Sequence, residues 1–115
     1  VAVTSGGEVK VEWVVCAVDC GVIVNPDTVR AQIEGGTIFG LTAALFNEIT
    51  LANGRVDQSN FNDYRMLRML EAPEVKVHLI ESAEAPGGIG ETGTAAVARC
   101  LQPGARSLAD DRLHG

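Results

Sequence analysis

Residues 84–98 constrain the possible folds of this chain more than any other stretch, because they combine a glycine-rich turn with a carboxylate. The centre of the stretch is an uninterrupted run: Gly87, Gly88, Ile89, Gly90 and Glu91. The glycines permit left-handed or crowded backbone angles and let a ligand approach the main chain closely. A short helix predicted to begin at the acid would add positive potential for an anionic group. The same pattern also suits an ordinary loop with a glutamate in the first helical turn, so the remaining sequence has to distinguish the two interpretations.

Length and charge narrow the class of protein. With 115 residues the chain forms at most one domain, and its first residue, Val1, leads us to expect a piece of a longer polypeptide. A net charge of −6 argues against a nucleic-acid-binding surface. No apolar run approaches the ~20 residues that span a bilayer, and no signal-peptide pattern opens the sequence. Neither nucleic acid nor a membrane span is therefore expected.

The cysteines give no sign of a disulfide or of a metal site. Cys16 and Cys20 fall in one predicted strand, where four extended residues span roughly 13 Å, whereas a disulfide needs Cα atoms within about 7 Å. They are interpreted as small buried apolar side chains in a reducing setting, and the spacing of cysteine and histidine predicts no metal site built from protein ligands alone. A cytoplasmic location is favoured, with a periplasmic one open for a longer parent polypeptide.

Strand patterns occupy the first part of the chain. Val1 to Val3 and Val9 to Val18 are predicted to be strands joined by a hairpin turn. Val9, Val11 and Trp13 should share one buried face, and the run from Val14 to Val18 is apolar on both faces, which predicts a strand passing through the interior. Asp19, directly after this run, is expected to cap a turn, with a role as a ligand-site carboxylate as the alternative.

One long helix is predicted from Pro26 to Phe46. Asn25 is a good N-cap and the proline suits the first helical position. Glycines are the anomaly in its interior, since each costs about 1 kcal/mol relative to alanine; they are Gly35, Gly36 and Gly40. They predict either a tight helix–sheet contact or a backbone surface lying against a cofactor. Gln32, one turn earlier, could offer its side-chain amide to the same ligand.

The remainder is predicted from short-range signals. Asn53-Gly54 marks a hairpin, residues 58–64 suit an irregular loop, and the methionines at 66 and 69 are expected to fill a core. Val75, Val77 and Leu79 alternate with polar residues as in an amphipathic strand that leads into the glycine turn, with His78 on its wet face. The fold class is therefore α+β: mixed strands and hairpins with one long glycine-containing helix.

Four motifs in series resemble one known family. They are the run at 15–21 (Val-Cys-Ala-Val-Asp-Cys-Gly), the helix start at 24–27 (Val-Asn-Pro-Asp), the helical segment at 32–36 (Gln-Ile-Glu-Gly-Gly) and the turn at 87–91 (Gly-Gly-Ile-Gly-Glu). Together they resemble the C-terminal part of the molybdopterin-binding large subunit of the xanthine dehydrogenase and aldehyde oxidase family, with bacterial isoquinoline 1-oxidoreductase beta subunits as the nearest likeness. The resemblance covers residues 1–98.

The resemblance implies a molybdenum hydroxylase that oxidises aldehydes or N-heterocycles with oxygen derived from water. The implied cofactor is molybdopterin with molybdenum, in its cytosine dinucleotide form, and Glu91 would be the general base. Cofactor-binding positions carried over from the motifs are Gln32, Gly35, Gly36, Gly87, Gly88, Ile89 and Gly90. The implied partners are the rest of the molybdenum subunit and a small subunit with two-iron two-sulfur clusters.

Two departures from the family limit the prediction. The upstream cofactor-binding segments and the substrate funnel are not in this sequence, so the isolated chain is expected to hold no molybdenum and to be inactive. Residues 99–115 lack the apolar helix with which the family continues, and a frameshifted or otherwise unrelated, disordered tail is expected there. The alternatives are a stand-alone anion-binding or structural module without catalysis, and an inactive product of a broken gene.

Overall fold

The computed structural model describes residues 1–90. Within them the elements are, in chain order, β1 (Ala2–Val3), β2 (Val9–Lys10), β3 (Trp13–Val18), α1 (Pro26–Leu45), β4 (Leu51–Ala52), β5 (Arg55–Val56) and β6 (Glu74–Leu79). The predictions about Glu91, and about the tail at 99–115, lie outside the described residues. The described part is a mixed α/β arrangement of one helix and small two-stranded sheets.

The central unit is a parallel pair of strands connected through the helix. β3 pairs with β6 in register from Trp13 opposite Glu74 to Val18 opposite Leu79, and α1 packs against β6. Parallel neighbours need a long crossover, and a helix is its usual form. The predicted mixture of strands, hairpins and one helix is confirmed, and the structure adds this parallel pairing, which joins segments about 60 residues apart.

One face of the β3–β6 pair is turned towards the helix. Val14, Cys16 and Val18 alternate with more exposed residues along β3, and Cys16 Sγ lies 3.8 Å from Thr37 Oγ1 of α1. Side chains with less than a tenth of their surface exposed form the core: Val11, Ile33, Thr37, Leu41 and Thr42. The helical spacing of 33, 37 and 41 explains why α1 buries one stripe.

The opposite face of β3 corrects two predictions. Trp13 is 59% exposed and Val15 is 50% exposed in the described chain, although the sequence predicts burial of both. The strand breaks at Val11 and Glu12, between β2 and β3, so the alternation changes phase and Trp13 falls on the outer face. Among residues 1–90 the helix covers the inner face, and the outer face stays open.

Helix α1 begins and ends close to the predicted residues. Asn25 Oδ1 accepts hydrogen bonds from the backbone N–H groups of Asp27 (3.1 Å) and Thr28 (3.2 Å), so the predicted N-cap is confirmed. At the other end Phe46 N–H donates to the Thr42 carbonyl, and Arg65 lies over the Phe46 ring at 4.1 Å from its centroid. The helix is not long and apolar enough to cross a membrane.

The segment between helix and last strand is built from local contacts. Asn53 (φ 51°) and Gly54 (φ 75°) both have positive φ, as a two-residue type I′ turn between β4 and β5 requires. Asp63 accepts hydrogen bonds from the backbone N–H groups of Ser59 and Asn60 and closes the predicted irregular loop. Met69 is 92% exposed, so its predicted core position is wrong: the turn at 68–72 directs it outward.

Candidate functional site

The carboxyl ends of β3 and β6 lie side by side, and a turn follows each of them. After β3, residues 19–22 form what we call the strand-end turn, in which Asp19 Oδ1 accepts a hydrogen bond from Gly21 N–H at 3.0 Å. Gly21 has φ +72°, a conformation that favours glycine. The predicted role of Asp19 as a turn cap is therefore confirmed, and its short side chain satisfies a backbone donor directly after β3.

After β6 the chain forms the glycine loop, residues 84–90, which docks on the strand-end turn through its main chain. Val22 N–H donates to the Glu84 carbonyl at 3.0 Å, and Gly87 N–H donates to the Cys20 carbonyl at 2.8 Å. A Cβ atom on Gly21 would collide with the Ala85 carbonyl oxygen and lie 2.8 Å from that of Glu84. The two backbones can approach this closely only because position 21 has no side chain.

Helix α1 contributes a third contact to the glycine loop. Gln32 Nε2 donates to the Gly90 carbonyl at 3.3 Å, across a sequence separation of 58 residues. Gln32 is exposed and lies two turns into the helix. The fold thus brings together two segments to which the family resemblance assigns cofactor-binding positions.

A groove of about 460 Å³ runs between the start of α1 and the glycine loop. Its lining includes Gln32, Thr28, Val24, Gly87 and Ile89. No lysine or arginine is among the described residues that line it. Its hydrogen-bonding capacity comes from backbone groups and side-chain amides on apolar walls, which suits an uncharged polar edge of a ligand better than a phosphate.

The predicted cofactor-binding positions do not all line this groove. Gln32, Gly87 and Ile89 line the groove, and Gly90 is held by Gln32. Gly88 lines a neighbouring cavity of about 530 Å³ along β3. Gly35 and Gly36 follow Gln32 on helix α1 by three and four residues. Gly35 is exposed and Gly36 is half-buried. Glu91 lies outside the described residues.

The loop glycines at 87, 88 and 90 have neither a positive φ nor a tight contact with the described residues. Among the described residues, glycines with positive φ are at 7, 21 and 54, so the left-handed conformation that glycine permits is not used at Gly87, Gly88 or Gly90. A Cβ atom at Gly87 would meet the Cys20 carbonyl oxygen at an ordinary 3.6 Å, and at Gly88 or Gly90 none of the described chain lies within 4 Å. At Gly21, by contrast, both the positive φ and the packing of the described residues require glycine.

Sequence reasoning missed the strand-end turn as part of the site. Its signal was present, because an aspartate two residues before a glycine is a common turn-capping pattern. What the pattern could not show is that the glycine faces a loop 64 residues later, since no local rule encodes that contact. Within residues 1–90, no cluster of histidine, cysteine or acidic side chains has the geometry to hold a metal ion.

Comparisons with known proteins give the family. The model of the molybdopterin cofactor-binding domain matches residues 2–73. Isoquinoline 1-oxidoreductase subunit beta of Brevundimonas diminuta is 45% identical over 89 residues, which cover 77% of this chain and 11% of that protein. The membrane-bound aldehyde dehydrogenase [pyrroloquinoline-quinone] of Gluconacetobacter polyoxogenes is 38% identical over 93 residues, covering 81% and 12%.

Solved structures agree on the fold. The Cu,Mo-CO dehydrogenase in its carbon monoxide reduced state superimposes with a TM-score of 0.74 at 23% identity, covering 83% of this chain and 13% of that one. The chain spans about one tenth of the length of the curated relatives that it matches. The family model, the identity to relatives and the shared fold together show that the chain belongs to the molybdopterin cofactor-binding family of xanthine dehydrogenases and aldehyde oxidases.

Proposed function

We propose that this chain acts as part of the large subunit of a molybdenum hydroxylase, where the glycine loop and helix α1 form one wall of the cofactor site. The observation that carries the proposal is the hydrogen bond from Gln32 to the Gly90 carbonyl. It joins the helix and the loop at the residue directly before Glu91, the acid that the family resemblance identifies as the general base. A purely structural loop would not require this convergence of the predicted cofactor-binding segments.

The described residues fit part of such a cofactor. The Gln32 side-chain amide and the backbone groups of the loop are suited to the hydrogen-bonding edge of a pterin. The positions of Gly88 and Gly90 have no described atom where a Cβ would be, which permits a flat group to approach the main chain. Because the described groove lining lacks a basic residue, we infer that phosphates of a cytosine dinucleotide form would be held by other parts of the subunit.

Glu91 would act as the base that accepts a proton during hydroxylation. A glutamate is a weak base in water, and an apolar substrate bound beside it would disfavour the charged form and make the carboxylate a better base. When bound, the molybdenum cofactor would supply the redox chemistry, with water as the oxygen source. The chain's own task is to hold one carboxylate at the end of a fixed loop.

The open face of β3 supports a role within a larger subunit. Parallel strands are normally covered on both faces, whereas Trp13 and Val15 are at least half exposed in the described chain. We infer that the rest of the molybdenum subunit covers this face, and that a subunit with two-iron two-sulfur clusters receives the electrons. The names of the relatives support an N-heterocycle or an aldehyde as the substrate class, and a cytoplasmic location is favoured.

The test replaces Glu91 by glutamine in the enzyme that contains this sequence. Glutamine keeps the size of the side chain and removes its basicity, so kcat per molybdenum should fall by about two to four orders of magnitude, with molybdenum content unchanged. Glu81→Gln, which changes an exposed glutamate beyond β6, is the matched control and should leave kcat within twofold. A Glu91→Gln variant within threefold of wild type would remove Glu91 from the mechanism.

Cofactor analysis of the same preparations separates the proposal from its alternatives. Molybdenum and pterin in stoichiometric amounts support it, whereas pyrroloquinoline quinone, which the name of the Gluconacetobacter relative gives, would contradict it. Absence of both would favour a binding or structural module without catalysis. The 115-residue chain alone should hold no molybdenum, because one loop and one helix offer only part of the contacts that a large cofactor needs.

A further inference from the structure

We propose that the strand-end turn and Gln32 are positioning elements that fix the glycine loop from two sides, with Gly21 as the residue that sets the distance. This inference rests on the proposed function, in which Glu91, the residue directly after the glycine loop, is the catalytic base. The loop is held at three main-chain atoms: the Glu84 carbonyl, the Gly87 N–H and the Gly90 carbonyl. Their partners come from the end of β3 and from the second turn of α1.

The strand-end turn holds the first half of the loop by backbone alone. The hydrogen bonds from Val22 N–H to Glu84 (3.0 Å) and from Gly87 N–H to Cys20 (2.8 Å) are short enough to define the spacing of the two chains. Asp19 holds the turn in shape through Gly21 N–H. With a Cβ at position 21, the carbonyl groups of Glu84 and Ala85 would have to move, because rigid backbone lies in its way.

Gln32 holds the second half of the loop by a side chain. Its amide donates to Gly90, whose carbonyl group belongs to the peptide unit that leads into Glu91. A shift of the strand-end turn or a loss of the Gln32 hydrogen bond would therefore change the position of the peptide unit that leads into Glu91. Misplacement of a reacting group by about 1 Å can cost 10²-fold in rate.

The chain offers a matched pair of glycines for the test. Gly21 (φ +72°) and Gly7 (φ +84°) have similar backbone conformations, but a Cβ at position 7 would meet nothing within 4 Å. Both alanine variants carry the conformational strain, and only Gly21→Ala adds the collision with the glycine loop. By NMR on the 115-residue chain, the Gly87 amide should exchange about tenfold faster or more in Gly21→Ala and within twofold of wild type in Gly7→Ala.

Milder variants keep the test valid if Gly21→Ala does not fold. Asp19 is exposed; Asp19→Ala removes the acceptor for Gly21 N–H and should also speed Gly87 exchange, while Asp19→Asn retains a side-chain oxygen and should restore protection. Gln32→Met should shift the ¹³C resonance of the Gly90 carbonyl, whereas Ala31→Met, at an exposed neighbouring position, should not. Unchanged Gly87 exchange in Asp19→Ala, or an unmoved Gly90 resonance in Gln32→Met, would overturn the proposal.

Kinetics of the molybdenum-loaded enzyme then test whether position matters for the reaction. For Asp19→Ala and Gly21→Ala we expect a tenfold to hundredfold loss of kcat per molybdenum with KM unchanged. Asp19→Asn should keep kcat close to that of the wild type. Faster exchange with unchanged kcat would overturn the positioning role. The Glu91→Gln measurement decides the proposed function independently, because the exchange and resonance changes need no cofactor and no turnover.

Discussion

The β3–α1–β6 unit and the segment 47–72 are held together in different ways. The first depends on contacts between distant residues: the parallel register, the Cys16–Thr37 contact and the docking of the glycine loop. The second depends on neighbours, as in the hydrogen bonds of Asp63 to Ser59 and Asn60. This chain therefore places its candidate site where long-range contacts converge, and uses locally specified turns to connect the parts.

Truncation of one leucine in each region should show the largest difference in stability. Leu41 is fully buried on α1 and Leu51 is 72% exposed on β4. Leu41→Ala should lower the free energy of unfolding by about 2–5 kcal/mol, through lost burial and the cavity left behind. Leu51→Ala should change it by less than about 0.5 kcal/mol. Urea unfolding of both variants measures this contrast, and equal losses would mean that the two regions share one core.

Replacement of Gly54 tests the local region at its tightest turn. Gly54 has φ +75°, and no described atom lies within 4 Å of the position that a Cβ would take. Gly54→Ala therefore adds backbone strain without a collision. We expect a loss of about 1–2 kcal/mol. Gly6→Ala, where the backbone is not left-handed and the nearest atom is Thr4 Oγ1 at 3.8 Å, is the control and should be nearly neutral. A neutral Gly54→Ala would argue against the type I′ turn.

The N-cap of α1 should have a smaller effect. Asn25→Ala removes the acceptor for two backbone N–H groups and should cost about 1 kcal/mol of unfolding free energy. Asn25→Asp keeps an acceptor and should be within a few tenths of wild type. Because the cap lies beside the groove, a loss much larger than the expected value would indicate that the groove wall itself rearranges.

Acidification should weaken the segment 47–72 slightly. Backbone N–H groups, that of Asn60 first and that of Ser59 next, hold the pKa of Asp63 below its ordinary value of 3.8. A carboxylate with a lowered pKa stabilises the folded state above its unfolded pKa, and this contribution is lost as pH falls below 3.8 through the lowered value. Asp63→Asn should flatten the pH dependence of the unfolding free energy below pH 3.8. An unchanged slope would contradict the assignment.

Local chemistry in the sequence was enough to predict much of this fold. The Asn25 cap with Pro26, the Asn53–Gly54 turn and the alternation of β6 each depend on residues within a few positions of one another, and each is confirmed. The cap by Asp19 belongs to the same class. The series of motifs was also enough to predict the family, because four short patterns in one order are far more specific than any one of them.

The tertiary structure alone decided where the site comes together. No pattern along the chain shows that β3 lies parallel to β6 or that Trp13 faces outward. Nor does any pattern show that Gln32 contacts Gly90 across a separation of 58 residues. Nor does the sequence distinguish Gly21, which the fold requires, from the loop glycines, which have open surroundings among residues 1–90. The physical reason is that side-chain spacing and backbone preference act over one or two turns, whereas a collision between two backbones exists only after the chain has packed.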